Sequence, residues 1–126
     1  MPVRDNLARL EITLPPAPKP VASYVPFTRT GNLVFISGQL PSKNGKVIHA
    51  GTVPAPVSVE QATEAARLAV LNAVAVLSDA CAGDLDRAER IVRIGVFVQC
   101  APGFTQQSQV ANGASDLLAE IFGEVG

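Results

Sequence analysis

Apolar and polar positions alternate with two different periods along this chain. From Ile91 to Val98 the period is two. Val92, Ile94, Val96 and Val98 fall on one face, and Ile91, Arg93, Gly95 and Phe97 on the other. That alternation predicts a strand, and apolar residues on both faces predict cover on both sides. Leu33-Val34-Phe35-Ile36 is a shorter run of strand formers. Elsewhere the period is that of a helix. Ala62, Ala66, Ala69, Ala73, Val76 and Leu77 draw one stripe, and Val110, Ala114, Leu117, Leu118, Ile121 and Phe122 draw another.

Helix boundaries are written in the residue types. Ser58-Val59-Glu60-Gln61 has the spacing of a capping box, in which serine and glutamine satisfy each other's free backbone donors. Gly83 supplies a stop for the first long helix. The second is expected from Gln106 or Ser108 to Phe122, ended by Gly123. The alanine-rich stripe suits a helix lying close on a sheet.

Two turns organise the first half. A first strand is expected over Ala22–Thr28, with Arg29-Thr30-Gly31-Asn32 as its turn and Leu33–Ile36 as the return. Ser42-Lys43-Asn44-Gly45 predicts a second hairpin, because Asn-Gly tolerates positive φ at both positions. Gly51–Val57 reads as an irregular loop. Residues 1–20 form a proline-rich tail, extended over Leu14-Pro15-Pro16-Ala17-Pro18-Lys19-Pro20 and expected to lie on the domain as a strap. Residues 21–126 form a single domain. The order is an α+β pattern with one helix layer on a sheet. A final helix with no strand to return to predicts one or two further strands after Gly126.

Composition narrows the function classes. With 126 residues, one domain is expected. Charged residues make up 17%, below the usual quarter, which predicts a surface partly covered by other elements or subunits. A net charge of −1 argues against electrostatic binding of nucleic acid. The N-terminus has no apolar h-region and no stretch is long enough to span a bilayer, so a cytoplasmic protein is expected. Cys81 and Cys100 lack metal-site spacing, and His49 stands alone, so no metal site is expected.

Candidate chemistry is sparse. Ser37-Gly38-Gln39 follows a strand, but no histidine lies nearby in sequence to activate the serine. Gly38 marks a bulge or a close backbone approach. Tyr24, the sole tyrosine, is either core or a hydroxyl presented in a cleft. Arg93 on a covered strand needs an anionic partner, and an interface salt bridge is the simplest. Asn112, beside the last stripe, is either surface or aimed at a pocket. Asp84 and Asp86 read as capping or solvated residues of a connector. No phosphate-loop motif is present.

Tyr24, followed by Gly31-Asn32-Leu33-Val34-Phe35-Ile36-Ser37-Gly38-Gln39-Leu40-Pro41, resembles the hallmark stretch of the YjgF/RidA-like family, also called endoribonuclease L-PSP. Glu60–Leu77 resembles its first long helix, Arg90–Val98 its fourth strand and Phe104–Phe122 its second helix. The proline-rich tail and Ala111–Asp116 point to a divergent branch. The resemblance implies a chorismate-mutase-like mixed sheet with two helices packed on one face, and a homotrimer with a cleft at each subunit interface. It also implies cofactor-free hydrolysis of reactive imines and enamines to 2-keto acids and ammonia. A trimeric module of the same fold that only binds small metabolites is the alternative. By this resemblance Tyr24, Ser37, Gly38 and Asn112 line the cleft. The family arginine that grips the substrate carboxylate, and the glutamate that positions water, match no residue up to Gly126, so the catalytic residues are left unassigned. The ribonuclease label is disfavoured by the acidic balance of the chain.

Overall fold

A computed structural model describes residues 2–19 and 22–126. Met1 and the Pro20–Val21 pair, where the sequence predicts the tail to give way to the domain, lie outside the described residues. Two long helices form one layer: α2 (Val59–Ala80) and α3 (Gln107–Phe122). The capping box of α2 is formed. Ser58 Oγ accepts the Gln61 N–H at 3.1 Å, and Gln61 Oε1 accepts the Ser58 N–H at 3.0 Å. The stops also follow the sequence, with Gly83 at φ 85° and Gly123 at φ 68°.

The helices meet closely because small residues face each other. A Cβ on Gly113 would collide with the Thr63 carbonyl oxygen and stand 3.0 Å from Thr63 Cγ2. Behind this contact lies the main core. Val70, Val74 and Leu77 of α2 pack with Ala114, Leu117, Leu118, Ile121 and Phe122 of α3. A smaller cluster of Val53, Val57, Ala62 and Val110 closes the other end.

The hairpins lie against this layer. β1 (Phe27–Thr30) pairs antiparallel with β2 (Leu33–Ile36), with Phe27 opposite Ile36. The first strand therefore starts later than the expected Ala22, and Arg29-Thr30 belong to the ladder rather than the turn. A two-residue connection suffices because Gly31 takes φ 58°. Val34 and Ile36 pack on the helices, while Leu33 and Phe35 face away. β3 (Ser42–Lys43) and β4 (Lys46–Val47) pair around Asn44 and Gly45, at φ 54° and 81°. Buried Asn72 of α2 ties that hairpin down, its amide donating to the Leu40 and Ser42 carbonyls at 3.0 Å each.

Two expectations need correction. Residues 91–98 are not paired in a ladder. The Ile91 N–H donates to the Val125 carbonyl at 2.7 Å, and the segment joins a parallel bridge between Val53 and Cys100 just beyond its end. Among the described residues, no backbone bond involves residues 92–98. The alternation reports which side chains can be covered and says nothing of which backbone lies alongside. Ile91, Val96 and Val98 pack on the two cores, but Val92, on the face of Val96, is 74% exposed and Phe97, on the face of Ile91, is 95% exposed, so neither face is covered along its whole length in the single chain. The architecture remains α+β, with mixed strand directions and the helices on one face.

The N-terminal segment is not extended throughout. Val3–Arg9 forms a helix, α1, packed on α3. Its signal was weak because Asn6 occupies a position facing the core. Buried Asn6 donates through Nδ2 to the Ile121 carbonyl at 2.8 Å, among the last carbonyls of α3. The Val3 N–H donates to Asp86 Oδ1 at 2.9 Å, while Asp84 caps the short 3₁₀ turn over Leu85–Arg87. Leu10, Ile12 and Leu14 continue over the core as the expected strap.

Replacing Gly113 by Ala is expected to force α2 and α3 apart and cost about 1–3 kcal/mol, the range for overpacking a close contact. Urea unfolding would read this as a lower midpoint, and an unchanged midpoint would refute so tight a crossing. The two thiols should also separate. Cys81 lies in the core, and desolvation raises its pKa above the ordinary thiol value despite the opposing field of Arg87. Because the raised value favours the neutral thiol, Cys81 is a poor nucleophile at neutral pH. Titration of the folded chain with a disulfide reagent is expected to show one accessible thiol, Cys100, and two after denaturation. Two equally fast thiols in the folded chain would overturn that burial.

Candidate functional site

The chain leaving β2 turns immediately into the Ser37-Gly38-Gln39 stretch, and Ser37 is held there from three sides. Its N–H donates to the Pro26 carbonyl at 3.0 Å. Its hydroxyl donates to the Val25 carbonyl. Its own carbonyl accepts from Gln39 Nε2 at 3.0 Å. These bonds extend the β1–β2 hairpin past its ladder and fasten the segment that carries Tyr24 to the serine. Tyr24 is half exposed and its N–H donates to the Ala22 carbonyl at 2.9 Å. Tyr24 thus belongs to an accessible corner rather than the core.

Gly38 is exposed and does not make the close approach that a structural role predicts. A Cβ built on it would meet nothing within 4 Å in the same chain. Its N–H makes no hydrogen bond among the described residues. The corner therefore offers one free backbone donor at Gly38 and the lone pairs of a hydroxyl whose proton is committed to Val25. Among the described residues no catalytic base is hydrogen-bonded to Ser37, so the hydroxyl is not activated as a nucleophile.

Asn112 sits elsewhere. It is exposed on the outer side of the helix layer, in a shallow groove of about 400 Å³ between α2 and α3. Thr63, Arg67 and Gly113 share that groove, together with the carboxylates Glu60, Glu64, Asp116 and Glu120. Within one chain the structure brings Tyr24, Ser37 and Gly38 to one corner and leaves Asn112 in a separate groove. The acidic lining escaped the sequence reading, although Glu60 with Glu64 and Asp116 with Glu120 are each spaced one helical turn apart.

His49 lies in the loop before α2. Its Nε2 lies 3.3 Å from Glu64 Oε2, which fastens the loop before α2 to that helix. His49 itself has φ 51°. Arg93 extends over Gly95, where a Cβ would stand 3.3 Å from its Nη1 and 3.7 Å from Phe97 Cε2. It has no carboxylate partner among the described residues of its own chain. Among the described residues no group of three His, Cys, Asp or Glu side chains is placed to hold a metal ion. No helix of the structure is long and apolar enough to cross a membrane.

Comparison with known proteins agrees with this architecture. The chain is 43% identical over 122 residues to Protein TCP17 of Trypanosoma cruzi, spanning 97% of this chain and 76% of that protein. It is 47% identical over 47 residues to 3-aminoacrylate deaminase RutC of Acinetobacter baylyi, a match covering 36% of this chain and 37% of the relative. Among solved structures, the protein Atu1372 from Agrobacterium tumefaciens, described as of unknown function, superposes with a TM-score of 0.88 at 41% identity, covering 98% of this chain and 76% of that one. A protein from Shewanella oneidensis MR-1, described as a "putative endoribonuclease", superposes with a TM-score of 0.89 at 32% identity, covering 99% and 82%. The family model described as "YjgF/chorismate_mutase-like, putative endoribonuclease" matches residues 5–126. With that match running through both hairpins and both long helices, the chain belongs to the YjgF/chorismate-mutase-like family and has its fold.

Proposed function

We propose that this protein hydrolyses reactive imines or enamines of small carboxylic acids, releasing ammonia and a carbonyl acid without a cofactor. The observation that carries the reading is the hydrogen-bonding pattern of the Ser37–Gly38 corner. The Ser37 oxygen, its proton given to Val25, accepts an N–H from a protonated imine. The free Gly38 N–H suits a carboxylate oxygen. Tyr24 stands on the segment bound to Ser37 and offers a hydroxyl at the same corner. The partial match to 3-aminoacrylate deaminase RutC supports an enamine acid as the substrate class.

The reaction balances simply. Water adds to the C=N carbon, a proton passes to nitrogen, and the C–N bond breaks as the carbonyl forms, leaving ammonia. An enamine enters by taking a proton on carbon to give the protonated imine. The step needs a carboxylate anchor and a group that activates water. In the family resemblance both come from residues that match nothing up to Gly126, so the reading includes a contribution from outside the described corner.

The working unit in this reading is a homotrimer. Leu33 and Phe35 are exposed on the side of the β1–β2 hairpin away from the helices, and Phe97 is almost fully exposed. Large apolar side chains on an open face mark an association surface. Association also offers a route for Asn112 of one copy to approach Ser37 of another.

Two measurements test the proposal. With 2-iminobutyrate generated in situ, the protein is expected to release ammonia and keto acid faster than buffer. Tyr24→Phe and Ser37→Ala should each lower that rate about tenfold or more, as for loss of one oriented hydrogen-bonding group. Release at the buffer rate by folded protein would sink the deaminase reading and leave the binding-only module. Sedimentation is expected to give three times the chain mass. Phe97→Asp should shift it to one chain mass with unchanged helix content, whereas a native chain that sediments as a monomer would refute the trimer.

A further inference from the structure

We draw no further inference here: the strongest candidate, the open backbone edge of residues 92–98 with the small groove between Ile91–Ile94 and Ser115 and Leu118 of α3, is an unpartnered edge, and nothing in the structure shows what covers it.

Discussion

The close crossing of α2 and α3 is the constraint on which the other elements rest. Gly113 against Thr63 fixes how near the two helix axes come, and everything buried is measured from that contact. With the axes close, Leu117 and Ile121 reach full burial against Val70, Val74 and Leu77. The same helix pair then supplies the platform for the rest. α1 docks through Asn6 on the Ile121 carbonyl, and Val34 and Ile36 of β2 settle on the cluster from the sheet side. Asn72 connects this layer to the site region. By holding the Leu40 and Ser42 carbonyls from α2, it fixes the far end of the stretch that begins at Ser37. Val25 and Pro26 hold the near end. The candidate corner is therefore positioned by two buried or backbone-directed anchors that rest on the helix pair beneath it.

Much of this was legible in the residues because local chemistry decides it. Ser58 and Gln61 satisfy each other's backbone donors wherever that spacing opens a helix, and Gly83 and Gly123 take φ values that other residues resist. Asn44-Gly45 specifies its turn by the same reasoning. The strand boundaries around Arg29 and Thr30 were less legible. Polar residues there look like turn, yet Gly31 alone supplies the conformation a two-residue connection needs, so the ladder continues to Thr30. Helix α1 was illegible for a different reason. Its inward positions include Asn6, whose burial is satisfied by a carbonyl 115 residues away, and no local pattern encodes that partner.

The segment from Ile91 to Val98 shows where pattern and pairing part company. Its alternation is strong, and Ile91, Val96 and Val98 do bury their side chains. A ladder, however, requires a second backbone at about 4.8 Å, and that is a property of the neighbours rather than of the segment. The same limit applies to the candidate site. The family resemblance names Tyr24, Ser37, Gly38 and Asn112 together, but proximity is set by tertiary placement. The hairpin extension unites the first three, while helical phase turns Asn112 outward into the groove with Arg67 and Asp116.

Ser37 illustrates how placement changes chemistry at constant residue type. A serine in a strand-to-loop turn invites a nucleophile reading, and nucleophilic attack needs its proton to leave toward a base. Here the proton is directed to the Val25 carbonyl, which accepts a hydrogen bond but does not take the proton away. The oxygen is left rich in lone pairs and fixed in direction. Such an oxygen attracts an N–H, and most strongly one carrying positive charge, because charge-assisted bonds are about twice as strong as neutral ones. The Gly38 N–H beside it has the opposite preference and favours an acceptor with negative charge. A ligand that satisfies both groups carries a cationic or polarised nitrogen and an anionic oxygen only a few bonds apart. Protonated imines of small carboxylic acids have that distribution. In the proposed reaction this pairing would favour the imine in its protonated form, whose carbon is the more electrophilic toward water. Under that proposal Ser37 would assist hydrolysis by orientation, without forming a covalent bond to the substrate.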